Sequence, residues 1–205
     1  MILKNFIVFE GIDGAGTTTQ LNILHEKYGT AQNVFFSAEP TAKETGVFLR
    51  RVLKGEIPAR AQTAVYLFAA DRDEHIFGAN GVAEHTKNGG IEISDRYFFS
   101  SLAYQGQNCG WDFVKHINAH FPLPELLFFF DISADDALKR IDARGEAKEI
   151  FEKKEFLEKT VQAYKKIIAD YQNESGMKIV CIDALKSKEE IAHIIDAQIR
   201  EMYFC

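Results

Sequence analysis

Five short apolar runs punctuate the chain, and the segments between them carry apolar residues at helical spacing. Phe6-Ile7-Val8-Phe9 is apolar throughout and ends in a glycine loop, the pattern of a strand buried on both faces of a parallel sheet. Asn33–Phe36, Gly90–Ser94 (after the Asn88-Gly89-Gly90 turn), Leu126–Phe130 and Lys178–Ile182 read the same way. Helical spacing covers Thr18–Tyr28, stopped by Gly29, then Lys43–Lys54, Arg60–Phe77, Ser100–Tyr104 and Phe113–His120. It resumes over Ala134–Arg144, with Ser133 as N-cap, and over Glu152–Gln172. Ser187-Lys188-Glu189-Glu190 has capping-box form and opens a C-terminal helix. Strands joined by helical crossovers predict an α/β fold, a five-stranded parallel sheet with helices on both faces. No linker rich in Pro, Gly or Ser divides the 205 residues, so one domain, 1–205, is expected. Gly145–Lys154 is highly charged and short of large apolar residues. It reads as a solvated junction between helices or, in a phosphate-handling enzyme, as a helical lid.

Composition narrows the partners. With 24 basic and 30 acidic residues the net charge is −6. Such a chain has no general electrostatic attraction for nucleic acid or an anionic membrane, so an anionic ligand must be caught by a local site. No apolar run approaches the roughly 20 residues of a membrane span, and the short apolar start lacks the features of a signal peptide. Cys109, Cys181 and Cys205 are widely spaced and form no C-x-x-C pair. They read as buried or incidental thiols in a reducing cytoplasm.

The sharpest local signal is Gly11-Ile-Asp-Gly14-Ala15-Gly16-Thr17-Thr18, between a predicted strand and a predicted helix. That is the context of a P-loop, G-x-x-x-x-G-K-[ST], whose backbone N–H groups point at phosphate oxygens beside a helix N-terminus. Thr18 falls at the hydroxyl position that ligands a metal ion, with Thr19 one step beyond. Thr17 occupies the lysine position and offers a hydroxyl without charge. The motif alone leaves enzyme and non-catalytic nucleotide binder both open. A GTPase would need an N-K-x-D segment, which the chain lacks.

Further segments give the loop a context. Phe9-Glu-Gly-Ile-Asp-Gly-Ala-Gly-Thr-Thr-Thr-Gln20 resembles the P-loop of thymidylate kinases, and Ser37-Ala-Glu-Pro40 is similar to their TREP segment. Leu67-Phe-Ala-Ala-Asp-Arg72 resembles LFAADR. Ser94-Asp-Arg-Tyr97 with Ser100-Ser-Leu-Ala-Tyr-Gln-Gly106 resembles DRY…SSLAYQG. Asp131-Ile-Ser, Ala137-Leu-Lys-Arg140 and Ala143-Arg-Gly145 are similar to the run before the family's lid, and Ile182-Asp-Ala184 to its last strand and adenine loop. The resemblance spans nearly the whole chain. It implies a bacterial-type dTMP kinase of P-loop NTPase fold that converts ATP and dTMP to ADP and dTDP with Mg²⁺, cytoplasmic and homodimeric.

Site roles follow from the same resemblance. Asp13 approaches the 3′-hydroxyl of the monophosphate. Phe68 and Arg72, spaced i, i+4 on one helix face, would stack on thymine and donate to its O4. Arg50 and Arg96 match positions that hold the acceptor phosphate, which a guanidinium fork suits. Asp95, at the end of the third strand, would hold Mg²⁺ with Thr18 or orient the acceptor. Tyr104 would exclude a 2′-hydroxyl by bulk and Gln105 contact the base; Glu39 and Ser101 complete the dTMP set. Gly11, Gly14, Ala15, Gly16, Thr17, Thr18 and Thr19 would bind the ATP phosphates, and Arg140, Asp183 and Ala184 the adenine. For Phe68 and Tyr104 the hydrophobic core is a competing home, and for Arg50 a solvated helix face.

The departures from the family pattern are as specific. Thr17 replaces the lysine, Ala38 the arginine of TREP, and Thr41-Ala42 the two following glycines. Gly14 stands where eukaryotic-type enzymes carry an arginine, and the lid reads Arg144-Gly-Glu-Ala-Lys148-Glu-Ile-Phe-Glu-Lys-Lys154. Arg144 and Lys148 are therefore the expected catalytic cations. A catalytically weak or inactive homologue, or a kinase for another deoxynucleoside monophosphate, are the competing readings.

Overall fold

The computed structural model describes residues 1–144 and 154–204. Five parallel strands, β1 (Ile2–Gly11), β2 (Val34–Ala38), β3 (Ile91–Asp95), β4 (Leu123–Asp131) and β5 (Lys178–Asp183), lie in the order β2-β3-β1-β4-β5. The helices are α1 (Thr17–Tyr28), α2 (Glu44–Leu53), α3 (Ala61–Ile76), α4 (Val82–Lys87), α5 (Phe98–Cys109), α6 (Trp111–Asn118), α7 (Ala134–Arg144), α8 (Lys154–Tyr171) and α9 (Lys188–Tyr203). This is the expected all-parallel sheet. The chain leaves β1 for one edge of the sheet and later crosses to β4 on the other side of β1. A parallel sheet places its ligand crevice at the carboxyl ends of strands where the winding reverses, here the Gly11 end of β1.

The central strand is buried because it is apolar on both faces. Phe6, Ile7, Val8 and Phe9 are fully buried, as are Leu126, Leu127 and Phe128 of β4. Phe9 meets Phe128 edge-on at 5.3 Å between ring centroids, an arrangement the ring quadrupoles favour. β1 is longer than its apolar run predicts: Ile2 and Leu3 pair with Leu123 and Pro124 before a register shift. Asn5 takes the left-handed conformation in that irregularity (φ 60), which asparagine tolerates. The cap predictions hold. Ser133 Oγ accepts the N–H of Asp136, and Ser187 with Glu190 forms the reciprocal capping box of α9.

Two differences from the sequence pattern bear on the site. α4 was not expected; its six residues bury only Val82 and Thr86, too few positions to establish a helical period. α5 begins at Phe98, two residues before the predicted start, because the two residues that open it, Phe98 and Phe99, are aromatic and read equally as strand. Of the expected lid, 145–153, including Lys148, lies outside the described residues. Arg144 closes α7, and Lys154 opens α8.

Candidate active site

The glycine loop leaves β1 at Gly11 and closes on α1, with Gly16 in the left-handed region (φ 100) as its N-cap. Gly14 is also left-handed (φ 83), and a Cβ there would sit 2.7 Å from the carbonyl oxygen of Ala137. Position 14 thus admits no side chain while α7 holds its place, so an arginine cannot be carried there. Arg140, on the same helix, donates Nη1 to the carbonyls of Gly14 (3.4 Å) and Ala15 (3.3 Å) and Nη2 to that of Ala184 (2.6 Å). It pins the glycine loop to the loop after β5. Between them opens a cavity of about 330 Å³ lined by Gly14, Ala15, Gly16, Thr19, Arg140 and Ala184. Lys186 and Lys188 line it too, two cations absent from the residues expected to bind ATP. Asp183 does not line it; its carboxylate accepts the N–H of Leu185 and shapes the turn.

Thr17 is buried in the first turn of α1, whereas Thr18 is exposed. Thr18 Oγ1 donates to Asp95 Oδ2 at 2.5 Å. Asp95 ends β3 and is buried, and its Oδ1 has no hydrogen-bond partner among the described residues. An orphaned buried oxygen of this kind costs about 1–3 kcal/mol. A hydroxyl and a carboxylate are hard oxygen donors, so the pair fits a hard divalent cation. Among the described residues no group of three or more His, Cys, Asp or Glu could hold a metal. The remaining ligands would come from water or substrate phosphates, as is usual for Mg²⁺.

A second cavity, of about 140 Å³, collects Asp13, Glu39, Phe68, Arg72, Arg96, Ser101, Tyr104 and Gln105. These residues come from five separate segments and were grouped beforehand as the acceptor set. Arg50 is the one member of that set outside the cavity. It donates to the carbonyls of Pro40 and Thr41 and lines a larger space of about 530 Å³ beside β2.

Arg96 ties the second cavity to the glycine loop. It pairs with Asp13 (2.5 Å), donates to Gly11 O and Ser100 Oγ (3.0 Å each), and lies over the Tyr104 ring at 5.4 Å. Its backbone is left-handed (φ 74), a conformation that costs about 1–3 kcal/mol in a non-glycine residue. Tyr104 donates to Asp13 Oδ2 and accepts the Asp13 N–H, both at 3.0 Å. Burial pushes the Tyr104 hydroxyl far above its ordinary value, against the pull of Arg96, so it remains a neutral donor.

The far wall is a buried polar network. Arg72 Nε donates to Glu39 Oε2 at 2.9 Å, Nη1 to Asn118 and Nη2 to Ser101 (3.2 Å). Glu39 Oε1 also contacts His75 Nδ1 at 3.0 Å, and His75 Nε2 contacts Ser37 Oγ at 2.8 Å. One turn away, Asp71 accepts the backbone N–H (2.7 Å) and hydroxyl (2.6 Å) of Thr41 and the hydroxyl of Thr45 (2.7 Å). Thr41 therefore has a bond that a glycine at that position could not make, and this accounts for one departure from the family pattern. Glu39 and Ser101 face the cavity and also hold Arg72. Nothing in the structure explains Ala38.

Glu10 is a functional candidate that sequence reasoning missed. It is fully buried, and burial raises its carboxyl to about 7 despite opposing pulls from Arg96, Ser100, Tyr164 and the Tyr97 N–H. Its folded value exceeds the ordinary 4.5 of an unfolded chain, so the folded state binds the proton more tightly. The resulting stabilisation is complete below pH 4.5 and lost as pH rises through about 7. It amounts to about 3 kcal/mol at roughly 1.4 kcal/mol per pKa unit. Urea unfolding at pH 5 and pH 8 should show that decline in the native sequence and a flatter profile in Glu10→Gln. Equal pH slopes in the two proteins would remove Glu10 as its source.

Comparison with known proteins agrees with the geometry. The family model for thymidylate kinase matches residues 9–195. A putative thymidylate kinase of Treponema pallidum (strain Nichols) is 40% identical over 201 residues, 98% of this chain and 97% of that protein. A probable thymidylate kinase of Methanocaldococcus jannaschii is 35% identical over 194 residues, 94% of each chain. A thymidylate kinase of Leptospira interrogans is 38% identical over 169 residues, 80% of this chain and 81% of its own.

Proposed function

Since the chain belongs to the thymidylate kinase family and so phosphorylates dTMP with ATP, we propose how its own residues divide that work. One observation carries the assignment: a single cavity joins Phe68 and Arg72 at one end to Asp13 and Arg96 at the glycine loop. In this reading Phe68 stacks on thymine, Arg72 donates to O4 and Gln105 contacts the base. Tyr104 fills the space beside C2′ and Asp13 meets the 3′-hydroxyl. Arg96 orients the acceptor phosphate with its fork. Arg50 joins it only by exchanging the Pro40 and Thr41 carbonyls for phosphate oxygens.

A dTMP phosphate oxygen forms a bond to the γ-phosphorus in line, and the bond to the β–γ bridging oxygen breaks, releasing ADP. The attacking phosphate is already ionised and needs no strong base; positioning and electrostatic stabilisation suffice. The loop N–H groups of Gly14–Thr18 hold the donor phosphates, and Arg140 with Ala184 flanks the adenine. We assign the charge that Thr17 lacks to the lid, 145–154, with Arg144 and Lys148 as its cations. The test is an ADP-release assay with dTMP, dUMP, dGMP and dCMP, each with ATP and Mg²⁺, beside a binding titration. Faster turnover with dTMP than with the others is expected. Binding of both nucleotides without dTDP formation would establish the inactive reading that Thr17 motivates.

The family uses a divalent metal with ATP, and we assign it as Mg²⁺ held by Thr18 and Asp95, where it would neutralise charge on the phosphates. Thr18→Ala should raise the Mg²⁺ concentration needed for half-maximal activity by about 10- to 100-fold. Thr19→Ala should leave that requirement in place; the reverse outcome would shift the metal register by one residue. We further propose a cytoplasmic homodimer through the α2–α3 side. Val47, Phe48 and Tyr66 expose apolar surface there, which sedimentation equilibrium can check.

A further inference from the structure

Glu10 is the last residue of β1 before the glycine loop opens at Gly11, and the four residues before it are fully buried apolar side chains. A carboxylate in such surroundings must be fully bonded, and this one is. Oε1 accepts the N–H groups of Tyr97 (2.8 Å) and Ser100 (3.1 Å). Oε2 accepts the hydroxyls of Ser100 and Tyr164, each at 2.7 Å. All four partners can donate, so above about pH 7 the ring satisfies an ionised carboxylate, although burial of the charge works against it.

What the charge does is visible one bond further on. Ser100 turns its hydrogen to Glu10 and offers its lone pairs to Arg96 Nη1 at 3.0 Å. That bond and the one to Gly11 O fix the plane of the guanidinium, leaving Nη2 directed at Asp13. Tyr164 lies on α8, the helix that follows the 145–153 segment, and its hydroxyl is 3.0 Å from Ser100 Oγ. The ring therefore joins β1, the start of α5 and α8 behind one arginine.

We propose that Glu10 is a positioning residue for phosphoryl transfer, which acts through Ser100 to hold the Arg96 fork toward the acceptor phosphate. The inference rests on the reading of Arg96 as the acceptor-phosphate clamp. Its sign separates it from a purely electrostatic role. Removing a negative charge from behind an anion site should tighten the anion. Removing the group that aims the arginine should loosen it.

The experiment is calorimetric titration of the full chain with dTMP at pH 8.5, where Glu10 is ionised, without ATP, for the native sequence, Glu10→Gln, Ser100→Ala and the double variant. Glu10→Gln should weaken dTMP by about tenfold, the effect of losing a well-directed hydrogen bond to a charged group. Ser100→Ala keeps the carboxylate and should weaken dTMP to a similar degree. The double variant should be no weaker than the worse single one, because both changes cut one relay. A lower folded fraction would change the titration stoichiometry and not the Kd. Unchanged or tighter dTMP in Glu10→Gln overturns the proposal, as does multiplication of the two losses. If Glu10→Gln does not fold, unchanged affinity in Ser100→Ala overturns it alone. Failure of the native protein to bind dTMP would instead reject the acceptor-site reading itself.

Discussion

Arg72→Ala is expected to lower stability by about 3–5 kcal/mol, the cost of leaving one member of a buried ion pair without its partner. Arg72 is 1% exposed and Glu39 is 6% exposed, so neither charge has water to fall back on. The change strands Glu39 Oε2 and the Asn118 side-chain carbonyl together, and leaves the Glu39 carboxylate with His75 alone on its other oxygen. It also removes a cation packed 5.4 Å from the Tyr97 ring and 5.5 Å from that of Phe121. Domains commonly hold only about 5–15 kcal/mol in total, so much of the reserve would go. Arg72 is thus no clean probe of base recognition: its removal should weaken dTMP and fold together. Urea unfolding and dTMP binding measured well below the melting temperature separate the two effects. A stability loss under about 1 kcal/mol would show that the Glu39–Arg72 pair behaves like a surface pair.

Arg96→Ala should act in the opposite proportion. It removes a cation that touches both Asp13 and the Glu10 ring, and kcat/KM for dTMP should fall by about 10²–10³-fold. KM for ATP should move far less, since the donor-side cavity is lined by other cations. Arg96→Lys should recover little, because an ammonium keeps the charge and loses the planar fork. Equal losses toward dTMP and ATP, or near-native activity in the lysine variant, would show that Arg96 contributes bulk charge only.

These two arginines also show how far the sequence could be read. The parallel sheet was legible because β1 and β4 carry uninterrupted apolar runs, and the shorter apolar stretches of the other strands alternate with helical spacing. The grouping of the residues proposed to bind dTMP was legible because they lie in short motifs, and all but Arg50 face one cavity. What stayed hidden depends on contacts across long sequence separations. Asp71 and His75 look like ordinary polar positions on α3, and only the fold turns them toward the loop after β2. Asn118 lies in no motif, yet it accepts from Arg72. Glu10 reads as the polar edge of a glycine loop until Tyr164, far along the chain, closes over it. Arg50 was placed by motif alone, and carbonyl acceptors nearby claim its fork. Thr41 reads in the sequence only as a departure from the family's glycine, and in the fold it is a partner for Asp71.

The strand order has a consequence for synthesis on the ribosome. β1 is made first, yet it sits at the centre and pairs only with β3 and β4. Those strands end at Asp95 and Asp131. At roughly 5–20 residues per second, Phe6–Phe9 must wait on the order of 5–20 s after emergence for its neighbours. Throughout that interval the most apolar segment of the nascent chain has both edges open to other chains. Yield in the cell should therefore respond to chaperone supply and growth temperature more strongly than the stability of the finished protein would indicate.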